Sequence, residues 1–79
     1  MWQENKTYLE RTVVLKNVSE AMAVLIQVGF IAEKHNHHPE ITNVYNKITF
    51  RLTTHDAGNI VTEKDWKLAE ELDYVLPTE

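Results

Sequence analysis

Three of the four histidines in this chain are crowded into one short segment that ends at a proline. His35, His37 and His38 lie within four positions, and Pro39 follows them directly. Histidine is the residue type that takes up and releases protons near neutral pH. The fourth histidine, His55, follows a second apolar run, so strand pairing could bring it near the others. These residue types in this pattern would suit a site for proton transfer.

The histidine cluster is open to three interpretations. In the first, the histidines are solvated at a helix end, where the helix dipole favours positive charge. In the second, they bind a metal ion: His35 and His38 are three positions apart, and His37 and Asp56 could contribute. The chain lacks the His-Glu-x-x-His spacing that puts two ligands on one helical face, so we expect no metal. In the third, one imidazole donates a proton and another, such as that of His55, accepts one across a pocket.

The carboxylates near the histidines also have ordinary structural explanations. Asp65 is the fourth residue of Thr62-Glu-Lys-Asp65 and could simply complete a helix cap. Glu33 could be a surface side chain of the preceding helix. We expect His35 to be exposed, because its phase does not place it on the same side as His37. Residue types and spacing alone therefore reach no further than a pocket for acid–base chemistry.

Charge and composition exclude several classes of function. The chain has 79 residues, a formal net charge of −4 and no cysteine. Nucleic acids and acidic membranes are bound through lysine and arginine clusters, and this chain has none, so we expect neither partner. Disulfides and thiolate metal sites are excluded. No apolar run approaches the roughly 20 residues of a membrane span and no signal-peptide pattern is present, so we expect a cytoplasmic protein.

The small size of the chain leads us to expect self-association. We expect one domain over residues 1–79, and a single core of that size contributes only about 3–5 kcal/mol. No disulfide can add to it, because the chain has no cysteine. Association between copies is the remaining source of stability, and we expect a homodimer or a homotetramer.

Alternation of apolar and polar residues predicts four strands. Residues 1–5 could hold a short strand or an ordered arm, and residues 8–15 alternate with Leu9, Val13 and Leu15 in one phase. Arg11 shares that phase, so we expect this face to be only partly buried. Residues 41–45 and 47–54 are the other two strands, with the turn at Asn46-Lys47. In the last strand Ile48, Phe50, Leu52 and Thr54 point one way, and a loop over residues 55–59 follows.

Two capping boxes predict where the helices begin. Asn17-Val-Ser-Glu20 and Thr62-Glu-Lys-Asp65 each place an acid three residues after a side-chain acceptor. The first helix runs to about His35, and its apolar face comprises Ala21, Val24, Leu25, Val28, Ile31 and Ala32. Further apolar residues on it, Met22, Ile26 and Phe30, indicate that it packs on a sheet and also on a partner. The second helix is expected to be lined by Trp66, Ala69, Leu72 and Val75 and closed by Pro77, with Trp66 and Tyr45 in the core or at an interface.

The predicted order of elements is β-β-α-β-β-α. Short connections between alternating strands favour antiparallel pairing, and both apolar helix faces need a sheet to cover. The sequence therefore predicts an α+β domain of two layers, a four-stranded antiparallel sheet with both helices packed on one face.

The spacing of the candidate site residues resembles a known signature. Glu33-x-x-x-His37-His38-Pro39 is followed by five residues and Tyr45, nine and His55, and nine more and Asp65. This pattern resembles the pterin-4a-carbinolamine dehydratases, as do Asn43-Val-Tyr-Asn-Lys47 and Thr53-Thr-His55. With the element order, the resemblance covers nearly the whole chain.

The resemblance implies an enzyme, a hydro-lyase that works without a metal or an organic cofactor. It would dehydrate 4a-hydroxytetrahydropterin to quinonoid dihydropterin, as part of the recycling of tetrahydrobiopterin used by aromatic amino acid hydroxylases. By the same resemblance His37 and His55 would transfer protons, and His38 would mainly bind substrate. Asp65 would orient a histidine and favour its charged form.

The resemblance also implies a set of substrate-binding residues. Glu33 would be a carboxylate of the pocket, Pro39 would shape its rim, and Thr53 and Thr54 would offer hydroxyl or backbone groups to the pterin, with Asp56 beside them. The main alternative function is that of a non-catalytic dehydratase-like module, of the coactivator or chaperone type. Such a module would be free to lose a catalytic histidine, whereas here none of the three is missing.

Overall fold

An antiparallel sheet forms one layer of the computed structural model, which describes residues 1–77, and two helices form the other. The strands in spatial order are β1 (Gln3–Glu4), β2 (Leu9–Val14), β4 (Lys47–Leu52) and β3 (Glu40–Val44), and the helices are α1 (Val18–His35) and α2 (Glu63–Leu72). The predicted β-β-α-β-β-α order and the α+β class are confirmed.

The centre of the sheet is the antiparallel pair β2 and β4. Their register runs from Leu9 opposite Leu52 to Val14 opposite Lys47. Alternate residues of both strands point under the helices, and these are almost wholly buried: Leu9, Val13, Ile48, Phe50 and Leu52. The other face of the pair is open and polar, and there the hydroxyls of Thr12 and Thr49 lie 2.9 Å apart. The strand phases predicted from the sequence are confirmed.

Helix α1 begins where its capping box predicts. The side chain of Asn17 accepts a hydrogen bond from the backbone N–H of Glu20, at 2.9 Å. The residues it buries against the sheet and α2 are Ala21, Val24, Val28 and Ala32, and Leu25 and Ile31 are partly buried beside them. The outer face keeps Met22, Ile26 and Phe30 exposed, which share one side of the helix because they are four residues apart. Neither α-helix within residues 1–77 is long and apolar enough to cross a membrane.

The turn between β3 and β4 lies one residue earlier than predicted. Val44 pairs with Lys47, so Tyr45 and Asn46 form the two-residue connection, and Tyr45 takes the left-handed conformation with φ 57°. The side chain of Asn43 donates hydrogen bonds to the carbonyls of Tyr45 and Lys47 and supports this turn. Tyr45 is 75% exposed, so it does not lie in the core, and its alternative place at an interface stays a prediction.

Helix α2 is shorter than predicted and turns a different face inward. It ends at Leu72, five residues before Pro77, and turns cover the intervening segment. Its buried residues are Asp65, Leu68, Ala69 and Leu72, while Trp66 is 44% exposed. Trp66 therefore does not lie in the core, because the helical phase set by Leu68 and Leu72 directs position 66 outward, and its alternative place at an interface stays a prediction.

Arg11 is buried, although the sequence predicted that its side of β2 is only partly covered. It is 6% exposed, and its guanidinium donates to Asp73 Oδ1 at 2.6 Å and to the carbonyl of Pro77 at 2.5 Å. Trp2 Nε1 donates to the same aspartate oxygen at 2.8 Å. The residues after α2 thus fold back over β2 and supply the partners that let a charged side chain occupy a core position.

His35 is not exposed as predicted but links the two helices. Its side chain is 24% exposed, and Nε2 lies 2.7 Å from Glu71 Oε1, near the end of α2. The hydrogen bond with His35 is the main reason why the pKa of Glu71 lies below its ordinary value of 4.5, and burial opposes this by raising the pKa. Lys34, 3.6 Å from the same oxygen, adds to the lowering.

We expect Leu72→Ala to lower the free energy of unfolding by about 2–5 kcal/mol, because it opens a cavity at a fully buried position. Tyr74→Ala is the matched control two residues later, where the side chain is 83% exposed, and should change stability by no more than about 0.5 kcal/mol. Urea denaturation measures both. Equal losses in the two variants would contradict the assignment of the buried face.

We expect the stability difference between the native chain and Glu71→Gln to depend on pH. A carboxylate whose pKa is lower in the folded state contributes stability that is complete above its unfolded pKa and lost as the pH falls through the folded one. The native chain should therefore be the more stable at pH 6, and the difference should vanish as the pH drops below the ordinary value of 4.5. Urea midpoints across this range test the prediction, which fails if the difference persists unchanged at low pH.

Candidate active site

A cleft opens where the end of α1, the end of β4 and the start of α2 meet. Its volume is about 310 Å³, at the lower end of what small-molecule sites occupy. The residues that line it come from these three places: Asn36, His37 and His38 after α1, Thr54, His55 and Asp56 after β4, and Lys64 in the first turn of α2. The fold thus brings His37, His38 and His55 together, as the sequence predicted.

The end of α1 is shaped so that His37 turns back toward α2. Asn36 takes the left-handed conformation with φ 51° and its N–H bonds to the carbonyls of Ala32 and Glu33. The N–H of His37 also bonds to the Ala32 carbonyl, at 3.1 Å. These contacts close the last helical turn in the usual manner of a left-handed C-cap. Pro39 follows before β3 begins and prevents the helix from continuing.

The His37 imidazole rests on the carboxylate of Asp65. Nε2 lies 2.5 Å from Oδ1, and the two side chains are 14% and 0% exposed. The other carboxylate oxygen, Oδ2, accepts from the hydroxyl of Thr54 and from the backbone N–H of Thr62, both at 2.8 Å. Thr62 Oγ1 in turn lies 2.6 Å from Thr54 Oγ1. Asp65 therefore completes the capping box of α2 and holds a histidine with the same side chain.

This arrangement fixes which nitrogen of His37 is available for chemistry. A carboxylate can only accept, so Nε2 carries the hydrogen in the contact with Asp65. The ring nitrogen that remains is Nδ1, which is a proton acceptor in the neutral imidazole and a donor in the imidazolium. A carboxylate behind the ring also stabilises the positive charge that the imidazole gains when it accepts a proton.

His38 and His55 are held more loosely and are more exposed to solvent. His38 Nε2 lies 2.8 Å from Glu33 Oε1, and these side chains are 57% and 79% exposed. His55 begins the short 3₁₀ helix His55–Ala57, and its Nδ1 lies 2.6 Å from Asn59 Oδ1. Gly58 closes this turn in the left-handed region with φ 87°. Both rings thus lie at the cleft on polar supports that leave them room to move.

The residues suggested by resemblance as substrate contacts lie at different distances from the cleft. Thr54 and Asp56 line it. Glu33 reaches it only through His38, and Pro39 is half-buried outside its lining. Thr53 donates its hydroxyl to the carbonyl of Thr7 at 2.6 Å, which turns it toward the loop before β2. The contact of all five with a pterin stays a prediction.

Two residues of the cleft wall, Asn36 and Lys64, were missed from the sequence. Asn36 could have been noticed as a residue type that caps helices in the left-handed conformation, next to a proline. Lys64 has no such signal, because it is one of several charged residues at the start of α2. His35 and His38, which were considered as a pair of metal ligands, bind different partners: His35 contacts Glu71 and His38 contacts Glu33. Within residues 1–77 no group of three histidine or carboxylate side chains could hold a metal ion.

The sequence as a whole matches one family. The family model described as pterin 4 alpha carbinolamine dehydratase matches residues 1–75. A protein of Opitutus terrae, provisionally named a pterin-4-alpha-carbinolamine dehydratase, is 43% identical over 74 residues, which is 94% of this chain and 76% of that protein. A protein of Thermomicrobium roseum with the same provisional name is 48% identical over 71 residues, or 90% of this chain and 75% of its own length.

Solved structures share the fold. The crystal structure of a transcriptional coactivator/pterin dehydratase from Brucella melitensis superposes with a TM-score of 0.88 at 35% identity, covering 96% of this chain and 82% of that one. A pterin dehydratase-like protein, described as a RuBisCO assembly factor in the alpha-carboxysome, superposes with a TM-score of 0.78 over 100% of this chain and 90% of its own, but at 16% identity it shows the fold alone. From the family match and the relatives together, this chain belongs to the pterin-4a-carbinolamine dehydratase family.

Proposed function

We propose that this protein catalyses the dehydration of 4a-hydroxytetrahydropterin to quinonoid dihydropterin and water. The observation that carries the proposal is the cleft itself, which is lined by three histidines, one of them hydrogen-bonded to a buried carboxylate. A reaction that must add a proton at one atom and remove one at another needs groups of this kind. The names of the family and of its relatives supply the substrate class.

The reaction requires two proton transfers and no redox change. The hydroxyl on carbon 4a leaves as water once it has gained a proton. The electron pair of the adjacent ring nitrogen moves in to form the new carbon–nitrogen double bond, and a ring N–H proton is lost to a base. General acid–base catalysis by positioned side chains contributes about 10²–10⁴-fold to such a step.

In this proposal His37 is the base. Its hydrogen bond to Asp65 leaves Nδ1 as the acceptor, and the carboxylate stabilises the imidazolium once the proton has arrived. The contact also keeps the ring from rotating, since Asp65 is itself held by Thr54 and Thr62. A base held in place by packing and hydrogen bonds needs no reorganisation when substrate binds.

His55 is the acid and His38 a binding residue. In His55 the contact with Asn59 occupies Nδ1, so Nε2 is the nitrogen that would meet the departing hydroxyl. His55 is exposed, so it can take up a new proton from solvent after each turnover. His38 lies on the same wall of the cleft as His37, and its imidazole is paired with the exposed Glu33. This position suits a hydrogen bond from His38 to the polar edge of the pterin ring. Asp56 and Lys64 complete the polar lining.

The proposed product has to be reduced before it can serve again as a tetrahydropterin. We therefore place the protein in tetrahydropterin recycling, between a hydroxylase that makes the 4a-hydroxy compound and a reductase that consumes the quinonoid one. This step follows from the chemistry of the proposed substrate and product.

A non-catalytic module on the same fold is the second candidate. A solved relative in fold is described as an assembly factor, and a shared fold does not determine function. The exposed apolar side chains of α1 would then be the functional surface. Against this stands the cleft: His38 and His55 are exposed, and the sheet and helices do not depend on them.

We expect the purified protein to accelerate dehydration of a synthetic 4a-hydroxytetrahydropterin, and His37→Ala and His55→Ala each to lower kcat by about 10²-fold or more. Absorbance of the quinonoid product measures the rate. His38→Ala should mainly raise KM. Thr12→Val, on the open face of the sheet, is the control and should keep full activity. A folded native protein that does not exceed the buffer rate would refute the proposal and favour the non-catalytic module.

We further propose that copies of this chain associate through the outer face of α1. Met22, Ile26 and Phe30 are 44%, 62% and 74% exposed and succeed one another at intervals of one helical turn. An apolar stripe of this kind is an unfavourable surface for a protein that remains monomeric.

Light scattering after size exclusion should give a dimer or a tetramer for the native chain, and Ile26→Lys should shift it toward the monomer. Val14→Lys, at a position that is 64% exposed on the sheet, is the matched control and should leave the mass unchanged. A native chain that is monomeric at all concentrations tested would contradict the proposal.

A further inference from the structure

A second carboxylate contact lies close to His37. His35 is the last residue of α1, and its imidazole lies 2.7 Å from Glu71 on α2. Two residues later the His37 imidazole lies 2.5 Å from Asp65 on the same helix. The end of α1 therefore makes two side-chain contacts with α2, one through His37 in the cleft and one through His35 outside it.

The two contacts lie at opposite ends of α2. Asp65 lies in the first turn and Glu71 near the last, so they are about 9 Å apart along the helix axis. Between His35 and His37 stands Asn36 alone, in the left-handed conformation. With one residue between them, any rotation of the end of α1 that moves the His35 ring away from Glu71 also changes the direction in which His37 leaves the helix.

The His35 side chain is 24% exposed, and it borders a cavity of about 360 Å³ whose other walls are Lys67, Glu70, Glu71 and Tyr74. On that side, packing leaves space next to the ring. Lys34 approaches Glu71 at 3.6 Å but is 74% exposed. The lowered pKa of Glu71, caused chiefly by the hydrogen bond with His35, shows that the contact favours the charged carboxylate. The hydrogen bond itself thus holds the ring.

We infer that His35 and Glu71 are positioning residues, whose contact fixes the end of α1 on α2 and so holds His37 against Asp65 in the cleft. This inference rests on the proposed dehydratase function. A partly exposed ion pair adds little to global stability. A displacement of about 1 Å in a catalytic group, by contrast, can cost about 10²-fold in rate. The contact should therefore matter more to catalysis than to folding.

Two variants break the contact from opposite sides, so that one serves if the other does not fold. We expect His35→Ala and Glu71→Ala each to lower kcat about 10- to 100-fold. KM should rise by a smaller factor, because His38 moves with His37 while Thr54 and Asp56, on another wall of the cleft, stay in place. His35→Gln places an amide N–H near the position of Nε2 and should restore at least half of the native kcat, which a loss of helix packing would not predict.

Glu10→Gln is the matched control. It removes the negative charge from the contact of Glu10 with Arg51, which has a similar length of 2.7 Å and similar exposure, 32% and 43%, but lies on the open face of the sheet. We expect its kcat to equal that of the native chain. An equal fall of kcat in Glu10→Gln and His35→Ala would overturn the inference, as would a native kcat in both His35→Ala and Glu71→Ala.

Imidazole NMR separates this inference from the proposed function. The proton between His37 Nε2 and Asp65 should give a downfield, slowly exchanging signal in the native chain and in His35→Gln, and it should broaden or disappear in His35→Ala. A protein without dehydratase activity that still shows this change would refute the proposed function and keep the positioning role. An unchanged His37 signal in His35→Ala would overturn the positioning role whatever the activity.

Discussion

The buried carboxylate of Asp65 is the constraint on which the rest of this structure depends. Removing a charge from water is costly unless hydrogen bonds and a partner compensate. Here an imidazole, a hydroxyl and a backbone N–H all meet the two oxygens of one side chain that is 0% exposed. They come from the end of α1, the end of β4 and the start of α2, so the three segments that form the cleft converge on one charged group.

The sheet explains why these three segments can converge. In the order β1-β2-β4-β3 the strand β4 is central, and its last buried residues lead directly to Thr54. The left-handed turn at Asn36 brings the chain out of α1 toward the same place. The His37 imidazole, the Thr54 hydroxyl and the Thr62 N–H need hydrogen-bond partners where these segments meet, and the carboxylate of Asp65 accepts from all three. Packing thus brings the segments near one another, and the hydrogen bonds fix how the side chains point.

Local features were predictable from the sequence, and features that depend on distant partners were not. The alternation of residues 47–54 and the caps at Asn17 and Thr62 are settled by neighbours along the chain. Trp66 was misplaced because the phase of α2 is decided by what Leu68 and Leu72 pack against. The burial of His35 and Arg11 was misjudged because their partners, Glu71 and Asp73, are far away in the sequence, where no local pattern indicates the contact.

Within the candidate site, residues that the fold requires must be distinguished from residues that it does not require, because only the latter are evidence for a function. Asp65 is needed for the start of α2 whatever the protein does, since it accepts the N–H of Thr62, so its presence says little about catalysis. His38 and His55 are different. Both are exposed, and their partners, Glu33 and Asn59, are surface residues close to them in the sequence. Neither histidine contributes to the core, and the position of both at the cleft beside His37 is the stronger argument for proton transfer.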